Sequence, residues 1–242
     1  MFLSWIFPHY CILCHQRSDN ERAICSACLE SLQRVPRPIC LYCGAPVGGD
    51  HQYPDRCPDC EGKPRPFAFA RSAITRTEVN MPLIYRLKFC GEIYVARACA
   101  PLLAELWEQH RLLSDIKDWV LVPIPVSAKR LRERRYNQSK ELAIALCALR
   151  DDLRMLDMLK RLSSSVRSQA GLSAGQRMAH ARSVYRVRDA YESGRKKAPA
   201  HILLLDDVYT TGSTVRACAR MLRKLPEVKK VAVITLLRVP KP

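Results

Sequence analysis

The stretch HILLLDDVYTTGST, residues 201–214, decides how the chain is read. It opens with a short continuous apolar run, the pattern of a strand buried on both faces of a parallel sheet. The run stops at Asp206 and Asp207, and a Thr/Gly/Ser-rich loop follows. Beyond it Val215, Cys218, Ala219 and Leu222 recur at helical spacing until Leu225 and Pro226 end the helix. Residues 231–237 supply a second apolar, β-branched run. Strand, loop, helix and strand in this order make a compact βαβ unit.

The loop is where an α/β sheet places its ligands, beyond the carboxyl end of a strand. Thr210, Thr211, Ser213 and Thr214 offer hydroxyls and backbone N–H groups at the positive end of a helix dipole, which suits a phosphate monoester. Gly212 lets backbone come close. Two acids beside a phosphate cradle would repel the phosphate unless they face something else, such as a sugar diol or a Mg²⁺ shared with a diphosphate. An ordinary strand-to-helix turn needs one capping residue, not this combination. A Walker loop is excluded because no G-x-x-x-x-G-K-[ST] occurs.

Upstream, residues 119–124 read as another strand, followed by a basic loop and a helix carrying Leu142, Ala145, Leu146 and Leu149. Before them Val95, Ala98, Cys99, Leu102, Leu103, Leu106 and Trp107 form an apolar helical stripe, with Pro101 expected to kink that helix or mark its first turn. Cys90, Cys99, Cys147 and Cys218 are read as small core residues.

The N-terminal part has a different composition. Eight of the twelve cysteines precede residue 61, in four Cys-x-x-Cys pairs: Cys11/Cys14, Cys25/Cys28, Cys40/Cys43 and Cys57/Cys60. Such a spacer sets two sulfurs on one tetrahedral zinc at about 2.3 Å each, so two pairs complete a site. A disulfide framework fits poorly in a reducing compartment, and thioredoxin-like chemistry needs one pair, not four. Sequential pairing closes shorter loops than a cross-brace and is preferred on chain entropy, with the crossed arrangement left open. His15 and His51 are expected to be bystanders. A segment this small cannot bury much core, so two structural zinc ions would supply its folding free energy.

Residues 1–66 hold 7 Lys/Arg and 7 Asp/Glu, whereas residues 67–242 hold 33 and 16, so the whole formal charge of +17 lies in the second part. With the run KPRP at 63–66, this shift predicts a zinc module over 1–66 and an α/β domain over 67–242. No apolar run is long enough to span a bilayer, and the apolar start lacks the basic flank of a secretory signal. The chain reads as cytoplasmic, with no membrane insertion.

Residues 202–214 resemble the phosphoribosyl pyrophosphate (PRPP) motif of type I phosphoribosyltransferases. The wider chain resembles the ComF family of competence and DNA-utilisation proteins, in which a cysteine-paired zinc module precedes such a domain. Further matches are LKF at 87–89, VPIP at 122–125, RRYNQS at 134–139, QAGL at 169–172, and Gln176 with Arg177. The resemblance implies a type I phosphoribosyltransferase-like α/β fold with a parallel sheet behind a double zinc ribbon. It implies that Asp206 and Asp207 hold the ribose hydroxyls, that Thr210, Thr211, Gly212, Ser213 and Thr214 cradle the 5′-phosphate, and that Arg134 and Asn137 lie nearest the pyrophosphate, with Mg²⁺ accompanying PRPP. Arg135 stands where the family often has Gly, and His180 where it often has Asn.

Residues 129–197 carry 18 Lys/Arg against 7 Asp/Glu. Lys129, Arg130, Arg132, Arg134 and Arg135 follow a sheet-end loop and suit a polyphosphate ligand. The remainder, among them Arg161, Arg167, Arg177, Arg182, Arg186, Arg188, Arg195, Lys196 and Lys197, are too many for one small ligand and suit nucleic acid, with Tyr136, Tyr185 and Tyr191 placed to stack unpaired bases. Two functions follow. One is Mg-dependent phosphoribosyl transfer, used in DNA uptake or utilisation, to an acceptor the sequence does not name. The other is a non-catalytic single-stranded DNA adaptor that uses the PRPP pocket as a sensor and engages competence or helicase-type proteins.

Overall fold

The computed structural model describes residues 10–18, 23–48, 56–90, 92–110, 113, 116, 118–162 and 184–240. The matches at 169–172, Gln176, Arg177 and His180 lie outside the described residues, as do His51, Arg167 and Arg182. The elements in chain order begin with α1 (Ser26–Ser31), β1 (Ala70–Thr75), α2 (Met81–Phe89), α3 (Tyr94–Glu108) and β2 (Val120–Pro123). Then come α4 (Ala128–Arg134), α5 (Gln138–Cys147), β3 (Arg154–Met155), β4 (Leu159–Arg161), β5 (Tyr185–Val187) and α6 (Asp189–Glu192). The chain closes with β6 (His201–Tyr209), α7 (Ser213–Leu222) and β7 (Lys230–Arg238).

Five strands form one sheet in the order β1-β7-β6-β2-β3, every neighbouring pair parallel. The expected α/β class with a parallel sheet is therefore observed. β4 and β5 form a separate antiparallel pair. Strand β6 alternates between two cores: Leu203 and Leu205 pack with α2, α3 and α5, while Ile202 and Leu204 pack with α7 and the β4–β5 pair. That double burial explains why its sequence is an unbroken apolar run. The strand runs further than its apolar residues, through the two acids to Tyr209. Pro101 lies inside α3, past its first turn, which leaves the interior position of the two expected for it. Cys99 and Cys218 are core residues, but Cys90 is exposed and Cys147 only half-buried, which corrects the uniform reading of the four.

The cysteines gather into two clusters, Cys11, Cys14, Cys25 and Cys28, and Cys40, Cys43, Cys57 and Cys60, the sequential arrangement. Within each, the sulfurs lie within 4.8 Å of one another. Cys14 and Cys25 approach to 3.8 Å and Cys43 and Cys57 to 3.6 Å. A tetrahedron of sulfurs at about 2.3 Å from zinc has edges of about 3.8 Å, so the clusters are consistent with two structural zinc sites. The N–H groups of Leu13 and Cys25 donate to the Cys11 sulfur, each at 3.4 Å. Hydrogen bonding from the Cys43 and Cys60 thiols pulls Cys40 far below the usual thiol range, and the same bond with Cys40 pushes Cys60 far above it. His15 is in neither cluster and lies 3.1 Å from Arg86 instead.

The cysteine segment does not stand apart from the sheet. Cys11 and Cys25 join the core on one sheet face, and Cys40, Cys43, Cys57 and Cys60 join the core on the other. Between them the chain crosses the outer edge of β1, where Arg34 bridges Ile74, the Ala70 N–H donates to the Tyr42 carbonyl at 2.7 Å, and the Thr75 N–H donates to the Gln33 carbonyl at 3.0 Å. An edge strand left open would be a template for aggregation, and the ribbon covers it. Gly44 makes this docking possible, because a Cβ there would meet the Ala70 carbonyl oxygen at 2.5 Å.

Asn80 fastens the seam. Fully buried, it donates to the carbonyls of Gln33 at 2.8 Å and Thr75 at 2.7 Å and accepts from the Gln33 N–H at 3.1 Å. Asn80→Ala removes all three of these hydrogen bonds, leaving the Gln33 carbonyl only its bond from the Thr75 N–H, and is expected to cost about 1–3 kcal/mol. A lowered urea midpoint with unchanged slope would show it; an unchanged midpoint would remove Asn80 from the seam.

Candidate functional site

The site forms where β6 leaves the sheet. Asp206 and Asp207 are its sixth and seventh residues, and the turn over 210–212 feeds α7. Gly212 has φ +73°, and a Cβ there would lie 2.3 Å from the Tyr209 hydroxyl oxygen. The close approach that requires glycine is thus to the buried Tyr209 ring beneath the turn. Above it, the Thr211 hydroxyl accepts from the Ser213 N–H at 3.3 Å and donates to the Ser213 hydroxyl at 3.2 Å. Arg216 donates to the Thr211 carbonyl at 2.8 Å, closing the first turn from behind.

The two acids are compensated by different elements. Lys88, near the end of α2, places its ammonium 2.7 Å from Asp207, whose side chain is almost fully buried. Asp206 accepts from the Ser139 hydroxyl at 2.9 Å and from the Asp207 N–H at 3.0 Å. Burial first, and the adjacent Asp207 charge second, push the Asp206 carboxyl well above the usual range. The repulsion expected between twin carboxylates and a phosphate is therefore relieved inside the protein, by one ion pair and one carboxyl that resists ionising.

These residues line a cavity of about 510 Å³ that also takes in Thr210, Thr214, Arg130 and Arg134. Its lining also includes Gln138 at the start of α5, Arg161 at the end of β4, and Tyr185. The Arg134 guanidinium stacks 4.9 Å from the Phe89 ring centroid, and that of Arg161 5.4 Å from Tyr185. Arg134 Nη1, Arg161 Nε and Gln138 Oε1 are buried with no hydrogen-bond partner among the described residues. Gln138 is only 3% exposed. Partnerless buried polar atoms are rare and costly, and three of the residues that carry them line this one cavity.

The residues expected from the sequence divide accordingly. Asp206, Asp207, Thr210, Thr214 and Arg134 line the cavity, while Thr211, Gly212 and Ser213 build the turn beside it. Asn137 does not line it: the side chain caps α5 by accepting from the Ser139 N–H at 3.1 Å and donates to the Ile124 carbonyl at 3.0 Å. Its neighbour Gln138 faces the cavity in its place. Arg135 takes φ +66° at the carboxyl end of α4, the conformation for which glycine is favoured. Lys88 and Gln138 fall within the quoted motifs, but nothing in their spacing announced a partnership with residues so distant in sequence. Arg161, read as part of a nucleic-acid surface, belongs to the cavity. The stacking expectation is corrected: Tyr136, Tyr185 and Tyr191 are all buried, Tyr136 donating to the Leu87 carbonyl at 2.7 Å, so none is free to stack a base on an open surface. Arg188 is held by Asp157 at 2.9 Å. Among the described residues no helix is long and apolar enough to cross a membrane.

The chain is similar to several known proteins. The double zinc ribbon domain family matches residues 2–61. Competence protein F of Haemophilus influenzae is 27% identical over 223 residues, covering 90% of this chain and 93% of its own. Competence protein ComFC of Bacillus subtilis is 28% identical over 224 residues, covering 90% and 85%. DNA utilization protein YhgH of Escherichia coli K12 is 29% identical over 220 residues, covering 89% and 91%. Among solved structures, a Staphylococcus aureus hypoxanthine phosphoribosyltransferase overlaps 61% of this chain and 64% of its own at 18% identity and a TM-score of 0.31. A Trypanosoma cruzi hypoxanthine phosphoribosyltransferase overlaps 62% and 75% at 15% identity and 0.32. With near end-to-end matches on the sequence side and the ribbon at its head, the chain is similar along almost its whole length to competence protein F and the DNA utilization proteins.

Proposed function

We propose that the cavity binds PRPP with Mg²⁺ and that the protein transfers the phosphoribosyl group to an acceptor used in DNA uptake or utilisation. The observation that carries this reading is that Arg134, Arg161 and Gln138, each with a polar atom lacking a partner among the described residues, line one cavity with the twin acids, Thr210 and Thr214. Asp206 and Asp207 would accept from the ribose hydroxyls. Thr210, Thr211, Gly212, Ser213 and Thr214 would hold the 5′-phosphate at the start of α7. Arg134 and Arg161 would meet the diphosphate through the N–H groups that lack partners in the protein. Asn137 would act by fixing the start of α5.

The oxygen-rich acids fit Mg²⁺, which prefers carboxylate and phosphate ligands. When bound with the diphosphate it would neutralise charge on the departing oxygens. In the transfer, the bond from C1 of the ribose to the diphosphate oxygen breaks with its electron pair, and the acceptor's lone pair forms the new bond. The arginines stabilise the charge that leaves, so the protein needs no nucleophile of its own. Tyr85 and Phe89, with ring centroids 5.4 Å apart, form an exposed apolar wall of the cavity and would lie beside an acceptor.

The same reading places zinc in both cysteine clusters. Elemental analysis of the full chain is expected to find two zinc ions. Chelation should remove most of the folding stability, since structural zinc in small modules binds with about 10–16 kcal/mol. A chain equally stable with and without chelator would contradict the assignment.

Two variants test the ligand. In calorimetry with Mg²⁺, Arg161→Met should weaken PRPP binding by about tenfold or more, as expected for a lost charged hydrogen bond of ~1.5–3 kcal/mol. Gly212→Ala should weaken it at least as much, because the turn must move off Tyr209. Wild-type affinity in both variants would show that the cavity is not the PRPP site.

A further inference from the structure

Arg238, the last residue of β7, is 1% exposed and forms no ion pair among the described residues. Instead its guanidinium donates to the Cys43 carbonyl and lies 3.4 Å from the Cys43 sulfur. The same guanidinium lies over the Tyr209 ring, 4.6 Å from its centroid. Tyr209, 3% exposed, is the ring on which Gly212 rests. A continuous path therefore joins the second cysteine cluster to the 210–214 turn: Cys43, Arg238, Tyr209, Gly212. The first cluster packs in the core on the other sheet face, away from Tyr209.

Charge gives the path its direction. Four thiolates around one Zn²⁺ carry about two negative charges, and a buried cation is stable only when compensated. Arg238 on Cys43, with Arg65 at 3.3 Å from the Cys60 sulfur, supplies two guanidiniums to that cluster. Held there, the Arg238 plane is fixed against Tyr209 by cation–π attraction. Arg216 ties the same turn from its outer side through the Thr211 carbonyl.

We propose that Arg238 is a positioning residue for the phosphate turn, anchored on the second cysteine cluster and acting through Tyr209. The ribbon then sets the geometry of the cavity rather than only covering a sheet edge. The functional meaning of this rests on the reading of residues 210–214 as a phosphate cradle. Linkage makes the coupling reciprocal: a filled second cluster favours ligand in the turn, and ligand in the turn favours the filled cluster.

The test is amide hydrogen exchange of residues 210–214 on the metal-loaded, ligand-free full chain. Arg238→Met should accelerate exchange there by about tenfold, within the 5–150-fold span usual for coupled sites. Arg238→Lys, which keeps the charge but not the stacking plane, should fall between Met and wild type. Tyr209→Leu, which leaves the Cys43 contact intact, should accelerate the turn as Met does and serves if Arg238→Met does not fold. The amides of residues 202–205 in β6 should keep wild-type exchange throughout. Unchanged exchange in the turn, or equal acceleration in β6, overturns the proposal. PRPP calorimetry on the same proteins is a separate readout: no heat with wild type sinks the phosphoribosyl reading, while the exchange result still decides the coupling.

Discussion

Everything at the site depends on strand β6 being sealed on both faces. Ile202, Leu203, Leu204 and Leu205 are each fully buried, alternately on the two sides of the sheet, and the strand is flanked by β7 and β2. Such a strand has no freedom of register, because a slip of one residue would exchange its two cores. Its carboxyl end is therefore fixed in space, and the acids that follow must be compensated where they stand. Lys88 of α2 and Ser139 of α5 do this from helices that pack on the same strand. Fold and site share one cause.

The ribbon completes the same design. A parallel sheet buried on both faces still has edges, and β1 is bordered on its outer side by residues 33, 34 and 42 of the cysteine segment. The two clusters pack in different cores, so the segment clamps the sheet from both sides of that edge. Buried arginines that would be costly in an apolar core are compensated by this arrangement. Arg238 reaches a cluster sulfur, while Arg71, 2% exposed, donates to the Leu41 carbonyl and to His110, and burial lowers it to about 10.

Much of this was legible in the sequence because it is local. The apolar runs of β6 and β7, the helical spacing of α7 and the sequential pairing of cysteines each follow from short-range periodicity or loop length. What was not legible depends on residues distant in the chain. The apolar pattern ends β6 at Leu205, yet the ladder continues to Tyr209 because Lys88 and Ser139 make the acids tolerable inside a sheet. Arg161 reads as one basic residue among many until β4 carries it to the cavity. Tyr136, Tyr185 and Tyr191 read as exposed aromatics among charges, but aromatic rings bury large areas and each found a core. Asn137 and Gln138 are neighbours whose roles differ only because one caps a helix and the other faces inward.

The central claim is that a phosphoribosyl group occupies the cavity at the end of β6. Phosphorus NMR of PRPP titrated with the metal-loaded full chain and Mg²⁺ reads this directly. The account predicts that the 5′-phosphate and diphosphate resonances all shift and saturate together, and that ribose 5-phosphate reverses the shift of the 5′-phosphate by competition. Resonances that stay at their free positions, or a diphosphate that shifts while the 5′-phosphate does not, would contradict it.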